Sequence, residues 1–444
     1  MAYAFGFLIA ALLVKDTAPI GDQYVLRSLS QGLCLAAGTW WLFTQGSIDA
    51  LRRYWLILAY SAVLCGTAFV SMDSTRVLLQ VLSLMAVSLF FMSFCEQAQQ
   101  TPSLHGTAAR IVIYALLPIC LGSLLLFKIA PTLAFDQTVE RMVWDSPHRF
   151  KGLFGKPAGI AAASGILLGL CAFTKVHWLI RITGTVSSLL CLYLTLSRSF
   201  WVGSSVALLV TVFLYVKRKG LLLVAGVGGL LLVLATVTVL DTKIPGLNQS
   251  RSMRSDSLEN LSGRTTLWTL ALARFWDRPV LGYGYTVGHQ AFLYSRKAKG
   301  DDVAGDNVDL FRNETFSLHN GYVQALLDSG GMGALFYSVI MGMTVWRIVR
   351  YDRLKAHAAA LYSLMFLSIA NIGETLVYTP ATFHAAFYWY AAVLALGLRQ
   401  TAEPPPTPLV EPAVIPVRER PTKYPVLSRP QPLTSQAGVV RDRC

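Results

Sequence analysis

Apolar runs of membrane-crossing length recur from the start of this chain to residue 398, and no other feature limits its fold as strongly. A helical span needs about 20 mostly apolar residues. Runs of this kind, the first of them short, fall near 3–14, 27–45, 54–72, 76–95, 108–128, 157–174, 177–196, 199–216, 221–240, 332–349, 356–373 and 383–398. Hydrocarbon offers no water to satisfy backbone N–H and C=O groups, so serial runs must be helices. The first run has the length of a signal-peptide core. It lacks a basic start and a convincing cleavage site, so it reads as a span. The expected fold is therefore an all-α integral membrane protein with about twelve transmembrane helices. Composition agrees. Only 14% of the 444 residues are charged, against roughly 25% in soluble proteins. That is too little to clothe a water-soluble enzyme, and too apolar for a disordered chain.

The formal net charge is +14. A basic chain can signal nucleic acid, but basic residues retained in cytoplasmic loops explain it here. One set of short connections carries twelve of them: Arg52, Arg53, Arg110, Lys175, Arg181, Lys217, Arg218, Lys219, Arg347, Arg350, Arg353 and Lys355. The alternating short connections carry Lys15, Arg27, Arg76 and Arg198. The richer set is expected in the cytoplasm, with both termini. Four regions follow: residues 1–240, with nine helices and a small outer loop at 129–156; a large outer loop at 241–331; three helices at 332–398; and a cytoplasmic tail at 399–444. The tail holds ten of nineteen prolines and reads as extended or disordered. Six of seven cysteines lie in apolar runs, and no CxxC or Cys/His spacing suggests zinc.

The outer loops are where chemistry is expected. Residues 241–318 carry ten basic and nine acidic side chains, more polar material than a connection needs. Helical periodicity over 264–277 predicts a helix capped by Ser262 and ended by Arg278-Pro279. A second, amphipathic helix is expected from Ser317 to Gly330-Gly331, lying on the membrane surface with His319 in its first turn. Arg198 stands where one span ends and the next begins. An arginine at a helix N-terminus is suited to phosphate, although an interfacial arginine can equally snorkel to lipid. Arg264 opens the loop helix and, alone, reads as solvated. Arg141, Arg149, Lys151 and Lys156 cluster in the small loop among glycines that let a backbone approach an anion. His319, beside Asn320, is a candidate general base, although a lone histidine is more often structural. Glu374, near the outer end of a span, is expected to pair with an arginine or face water. No Walker loop, HExxH, nucleophile elbow or outer Asp-x-Asp pair occurs.

These pieces form an ordered set. It comprises Arg149-Phe-Lys-Gly152-Leu-Phe-Gly-Lys156-Pro157, Leu196-Ser-Arg198-Ser-Phe-Trp201, Gly263-Arg264-x3-Trp268 and Trp276-Asp-Arg-Pro-Val-Leu-Gly-Tyr-Gly284. Last come Leu318-His319-Asn320-x-Tyr322 and Asp328-Ser-Gly-Gly-Met-Gly333. With the span pattern, the set resembles the O-antigen ligase family over residues 1–400. Ala158 departs from it, since the family often has Asn after the proline. The resemblance implies a GT-C-like, metal-independent membrane glycosyltransferase without a cofactor. Such an enzyme takes a glycan from undecaprenyl diphosphate and attaches it to a lipid A–core sugar hydroxyl. It works at the periplasmic face of the Gram-negative inner membrane. Its essential histidine and two arginines match His319, Arg198 and Arg264. Arg141, Arg149, Lys151, Lys156, Asn320 and Tyr322 are the expected substrate-binding residues. The partners are the lipid-linked donor, the lipid acceptor and membrane lipid, and nucleic acid is not among them. An O-antigen polymerase or a protein O-oligosaccharyltransferase would share the donor. A lipid-linked glycan flippase would share the helices but has no need of the large loop.

Overall fold

The computed structural model describes residues 2–17, 23–44, 46, 48–101, 103–135, 149–215, 264–288, 318–350, 354–378 and 382–397, with backbone alone at 23–28, 50, 215, 264–267 and 354–356. Arg141, Ser262, Ser317, the span expected at 221–240 and the tail lie outside the described residues. Within them, the helices are α1 (Ala2–Thr17), α2 (Gln23–Thr44), α3 (Ile48–Arg53), α4 (Trp55–Gly66), α5 (Ser74–Gln100), α6 (Ser103–Ile129), α7 (Pro131–Ala134), α8 (Pro157–Phe173), α9 (Trp178–Thr195), α10 (Arg198–Tyr215), α11 (Arg264–Phe275), α12 (Gly321–Arg350), α13 (Leu354–Gly373) and α14 (Phe383–Gly397). Eleven of the twelve expected spans are thus helical. Among the described residues, four helices (α5, α6, α9 and α12) are long and apolar enough to cross a membrane; α4, α8, α10, α13 and α14 are apolar but shorter.

Local chemistry sets several boundaries. Asp73 caps α5 by accepting from the Arg76 N–H at 2.9 Å. Pro157 opens α8, where its missing N–H costs nothing. Close packing depends on small residues. Gly165 and Gly169, one turn apart on α8, lie against the rings of Phe366 and Tyr362 on α13. Helices in lipid gain little from hydrophobic association and approach closely where side chains are small. Gly203 of α10 likewise lies against the α13 backbone, and Ser204 hydrogen-bonds the Tyr362 hydroxyl at 2.5 Å. α13 is therefore gripped by α8 and α10, both running antiparallel to it.

The helix ends sort into two groups. In one, Glu96 receives Arg53 at 2.5 Å and the Tyr54 hydroxyl at 3.1 Å. Nearby in the same group, Gln99 donates to the Gly397 carbonyl at 2.7 Å, and Arg347 donates to that of Leu396. This group contains residues of the basic-rich set. In the other group, Asp16 accepts from the Phe383 N–H at 2.9 Å through its carboxylate and from the Gly155 N–H at 3.1 Å through its carbonyl. The start of α14, the end of α1 and the small loop are thereby tied together. An alternating up–down order demands this sorting.

The small loop is held to α6 and α7. Lys151 and Gly152 both donate to the Ala134 carbonyl, at 2.9 and 3.1 Å. Gly152 has φ 58°, and a Cβ there would stand 2.5 Å from Ser123. Its freedom is spent on packing against α6, not on approaching an anion as the sequence suggested.

Candidate active site

The second loop helix differs from expectation. It does not start at Ser317 or lie on a surface. α12 begins at Gly321, capped by Asn320, whose side-chain oxygen accepts from the N–H groups of Tyr322 (3.0 Å) and Val323 (3.1 Å). Its opening turns bury Gln324, Ala325, Leu327, Asp328 and Ser329, so this stretch is part of the core. It runs through Gly330 into the following span, with a kink where Gly330 takes φ 66° and ψ −172°. The kink has a cause. Segment 276–288 straps across it: Gly331 donates to the Pro279 carbonyl (2.7 Å), Met332 to that of Val280 (3.2 Å), and Tyr283 and Gly284 to those of Leu327 (3.1 Å) and Asp328 (2.9 Å). A Cβ on Gly330 would collide with the Val280 carbonyl. The Trp276–Gly284 motif is thus the clamp on the kink. Burial pushes the Tyr283 phenol up, Asp277 adding to this while Arg274 and Arg278 oppose it. It stays neutral and donates to the Arg274 carbonyl at 3.2 Å.

His319 precedes α12 instead of lying in its first turn. Its φ of 50° is left-handed, which costs a non-glycine residue about 1–2 kcal/mol. Both neighbours hold it there. Leu318 is fully buried in a cluster with Ala271 and Leu327, and its carbonyl accepts from the Trp268 indole at 2.8 Å. Asn320 is committed to the cap.

The His319 ring meets Glu374, with Nδ1 to Oε2 at 2.9 Å. The histidine side chain is 44% exposed and the carboxylate 12%, so one partner is reachable and the other is shielded. The sequence reading expected arginine or water at Glu374; the partner is this histidine. Glu374 follows the end of α13, and the chain there is stitched to α12. Asn371 accepts from the Leu376 N–H at 2.9 Å, and its amide faces Gly321, where a Cβ would collide with it. Thr375 donates to the Gln324 side-chain oxygen at 3.1 Å. The Tyr322 hydroxyl donates to the Ser368 carbonyl at 2.8 Å. Tyr322, expected to touch substrate, instead locks α12 to α13. With Nδ1 carrying the proton and donating to the carboxylate, the basic lone pair sits on Nε2. This is how a carboxylate prepares an imidazole to take a proton.

Arg198 is exposed at the first residue of α10. The indole of Trp201 donates to the Leu192 carbonyl at 2.9 Å and fixes that helix start to α9. Following the α10–α13 register for about one and a half turns brings Arg198 to the end of α13 that precedes Glu374. The α8–α13 register, followed for about two turns, brings Pro157 level with Glu374. Exposed Lys156 and half-buried Arg149 and Lys151 belong to that same end. Arg264 opens α11, one turn before Trp268, the residue that anchors Leu318. Its side chain lies outside the described residues.

A serial bundle of apolar helices is the architecture of a multi-pass membrane protein, and this one carries a histidine–carboxylate pair and basic helix starts at one end. Residues 183–338 match the family model for O-antigen ligase. Over that stretch, about a third of the chain, the protein is similar to O-antigen ligases, in agreement with the resemblance carried by its motifs. The matched segment contains Arg198, Arg264, His319, Asn320 and Tyr322. It begins after the small loop and ends before Glu374. No curated protein matches the chain.

Proposed function

We propose that this chain transfers a glycan from undecaprenyl diphosphate to a sugar hydroxyl of lipid A–core, by single displacement with inversion. The site would face the periplasm from a Gram-negative inner membrane. The hydrogen bond from His319 Nδ1 to Glu374 Oε2, at 2.9 Å, carries this reading. A neutral hydroxyl needs a base as the new bond forms, and His319 Nε2 supplies it. Glu374 sets the tautomer and stabilises the imidazolium that results. The diphosphate is a good leaving group once its charge is balanced. Permanently charged guanidiniums at Arg198 and Arg264 balance it without a metal, and Arg141, Arg149, Lys151 and Lys156 add positive charge on the donor's path.

The test is a competition between acceptors. The purified full-length protein is given glycan-linked lipid together with lipid A–core and pilin. Glycan on lipid A–core is the expected result. Glycan on pilin alone would assign the chain to protein glycosylation, and glycan extended only on the donor lipid to polymerisation.

A further inference from the structure

α11 has an outward face unsuited to water. Ala271 is buried and Leu270 partly so, as a helix packed on the bundle requires. The opposite side carries Leu272 and, in the turn just past the helix end, Trp276, 40% and 74% exposed. A helix that is apolar on both faces is at home only when both are covered. The strap continues the pattern, with Val280 57% exposed. Arg278 ties the strap to the turn after α4, donating to the Val70 carbonyl at 2.6 Å. That turn exposes Phe69 (93%) and Met72 (65%) at the same rim. Below this rim, past the exposed Asp73, Ser74 and Thr75 at the start of α5, further apolar side chains are exposed: Leu78, Leu79 and Leu82 of α5 and Met332, Leu335 and Val339 of α12.

We propose that residues 272–280, together with Phe69 and Met72, are seated in the headgroup–acyl boundary of the bilayer, with membrane lipid itself as the partner. Three observations favour lipid over a protein occupant. The patch is bonded to the ends of two long helices that expose apolar side chains, through Met332 N–H to the Val280 carbonyl and Arg278 to the Val70 carbonyl. It lies where those helices begin or emerge, and an exposed tryptophan there fits the aromatic belt of spanning proteins. Residues 272–280 carry two guanidiniums and one carboxylate, a net positive charge. Arg278 is exposed, with its charge 4.9 Å from the centre of the Tyr283 ring, and Arg274 pairs with Asp277 at 3.1 Å. With Arg274 balanced by Asp277, the exposed Arg278 is the charge that suits lipid phosphate. The surface-seated part of the large loop is therefore 272–280, not the 317–329 stretch that the sequence suggested. The consequence is mechanical. Trp268, on the same helix, holds Leu318, so the bilayer would fix the height of His319 relative to any lipid-borne substrate.

This inference rests on the membrane-spanning reading, and the test separates the two. Full-length protein without reactive cysteines is placed in phosphatidylethanolamine–phosphatidylglycerol nanodiscs. Nitroxide is attached at Trp276→Cys, Val280→Cys or, as a control in a span, Leu335→Cys. Collision with oxygen is compared with collision with a nickel chelate. Oxygen should dominate several-fold at all three sites. Oxygen at Leu335 with nickel dominant at 276 and 280 would overturn the seat and leave the spans intact. So would both collisions suppressed there, which would mean that another part of the chain covers the patch. Nickel dominance at Leu335 would overturn the spans as well. Dibrominated lipid gives a label-free check. The wild-type protein, with ten tryptophans, should lose a share of its fluorescence that Trp276→Phe does not lose. Equal quenching of the two proteins would reject the seat.

Discussion

The left-handed backbone of His319 costs about 1–2 kcal/mol, and the contacts that hold it are individually replaceable. The Trp268–Leu318 hydrogen bond is worth about 1 kcal/mol, and the Asn320 cap a similar amount. Such strain is kept where it aims a side chain, and here it aims the imidazole at Glu374. His319→Ala should lower transfer by at least ~10²-fold while donor binding and folding persist. A lipid-transfer assay beside a thermal melt checks this, and near-normal transfer would remove His319 as the base. Glu374→Gln keeps the shape and an accepting oxygen but loses the charge. It should cost roughly 10² in turnover, with little change in the donor concentration for half-saturation; the reverse pattern would make Glu374 a binding residue. Arg198→Lys keeps the charge and loses the planar fork. It should cripple transfer without changing the melting temperature, since Arg198 is exposed; unchanged turnover would reduce it to a lipid-facing anchor. His319 and Arg198 could be singled out as candidates because their residue types and motif spacing are local. The His319–Glu374 pairing was not. It joins residues 55 positions apart through the end of α13, and charge complementarity alone pointed Glu374 toward arginine.

At the scale of elements, the strap and the kink are one device. Gly330 sits at a φ/ψ combination that is essentially reserved for glycine, and the strap carbonyls occupy the space where a side chain would go. Gly330→Ala should therefore destabilise by several kcal/mol, about 2–4. It should also release 276–288 from α12, seen as faster amide exchange at Gly331 and Met332. Retained exchange protection in a folded variant would show that the strap does not depend on the kink. The sequence marked Gly330-Gly331 as a helix break, and the break is real in dihedral terms. What it could not convey is that the helix resumes at once, because the replacement hydrogen-bond partners come from 279–284, far away in sequence. The same limit explains the mistaken surface helix. Leu318, Tyr322 and Leu326 make an apolar stripe, but a stripe does not say whether lipid or protein will cover it.

For the whole molecule, the pattern of apolar runs was enough to locate eleven described helices, because in hydrocarbon the backbone leaves no alternative. Packing was less legible. The Gly165–Gly169 groove under two aromatic rings and the Arg53–Glu96 pair at the opposite end needed coordinates to be matched with their partners. The charged residues at the two ends are used differently. At one, a carboxylate is closed off by arginine and tyrosine and holds the bundle together. Breaking such a pair leaves a shielded charge uncompensated, which costs about 3–5 kcal/mol. At the other, basic residues at 156 and 198 stand at helix starts on the end that carries His319. On the proposed function, a diphosphate arriving there would meet positive charge that does not depend on a bound ion. Transfer should therefore be unchanged after prolonged EDTA treatment of the detergent-purified protein and unaffected by added magnesium. The measurement is initial rate against chelator concentration, with donor and acceptor held constant. A rate that falls with chelator and returns with a divalent cation would mean that the guanidiniums alone do not carry the leaving group, and would move the search for a metal ligand to the acidic residues of 241–318.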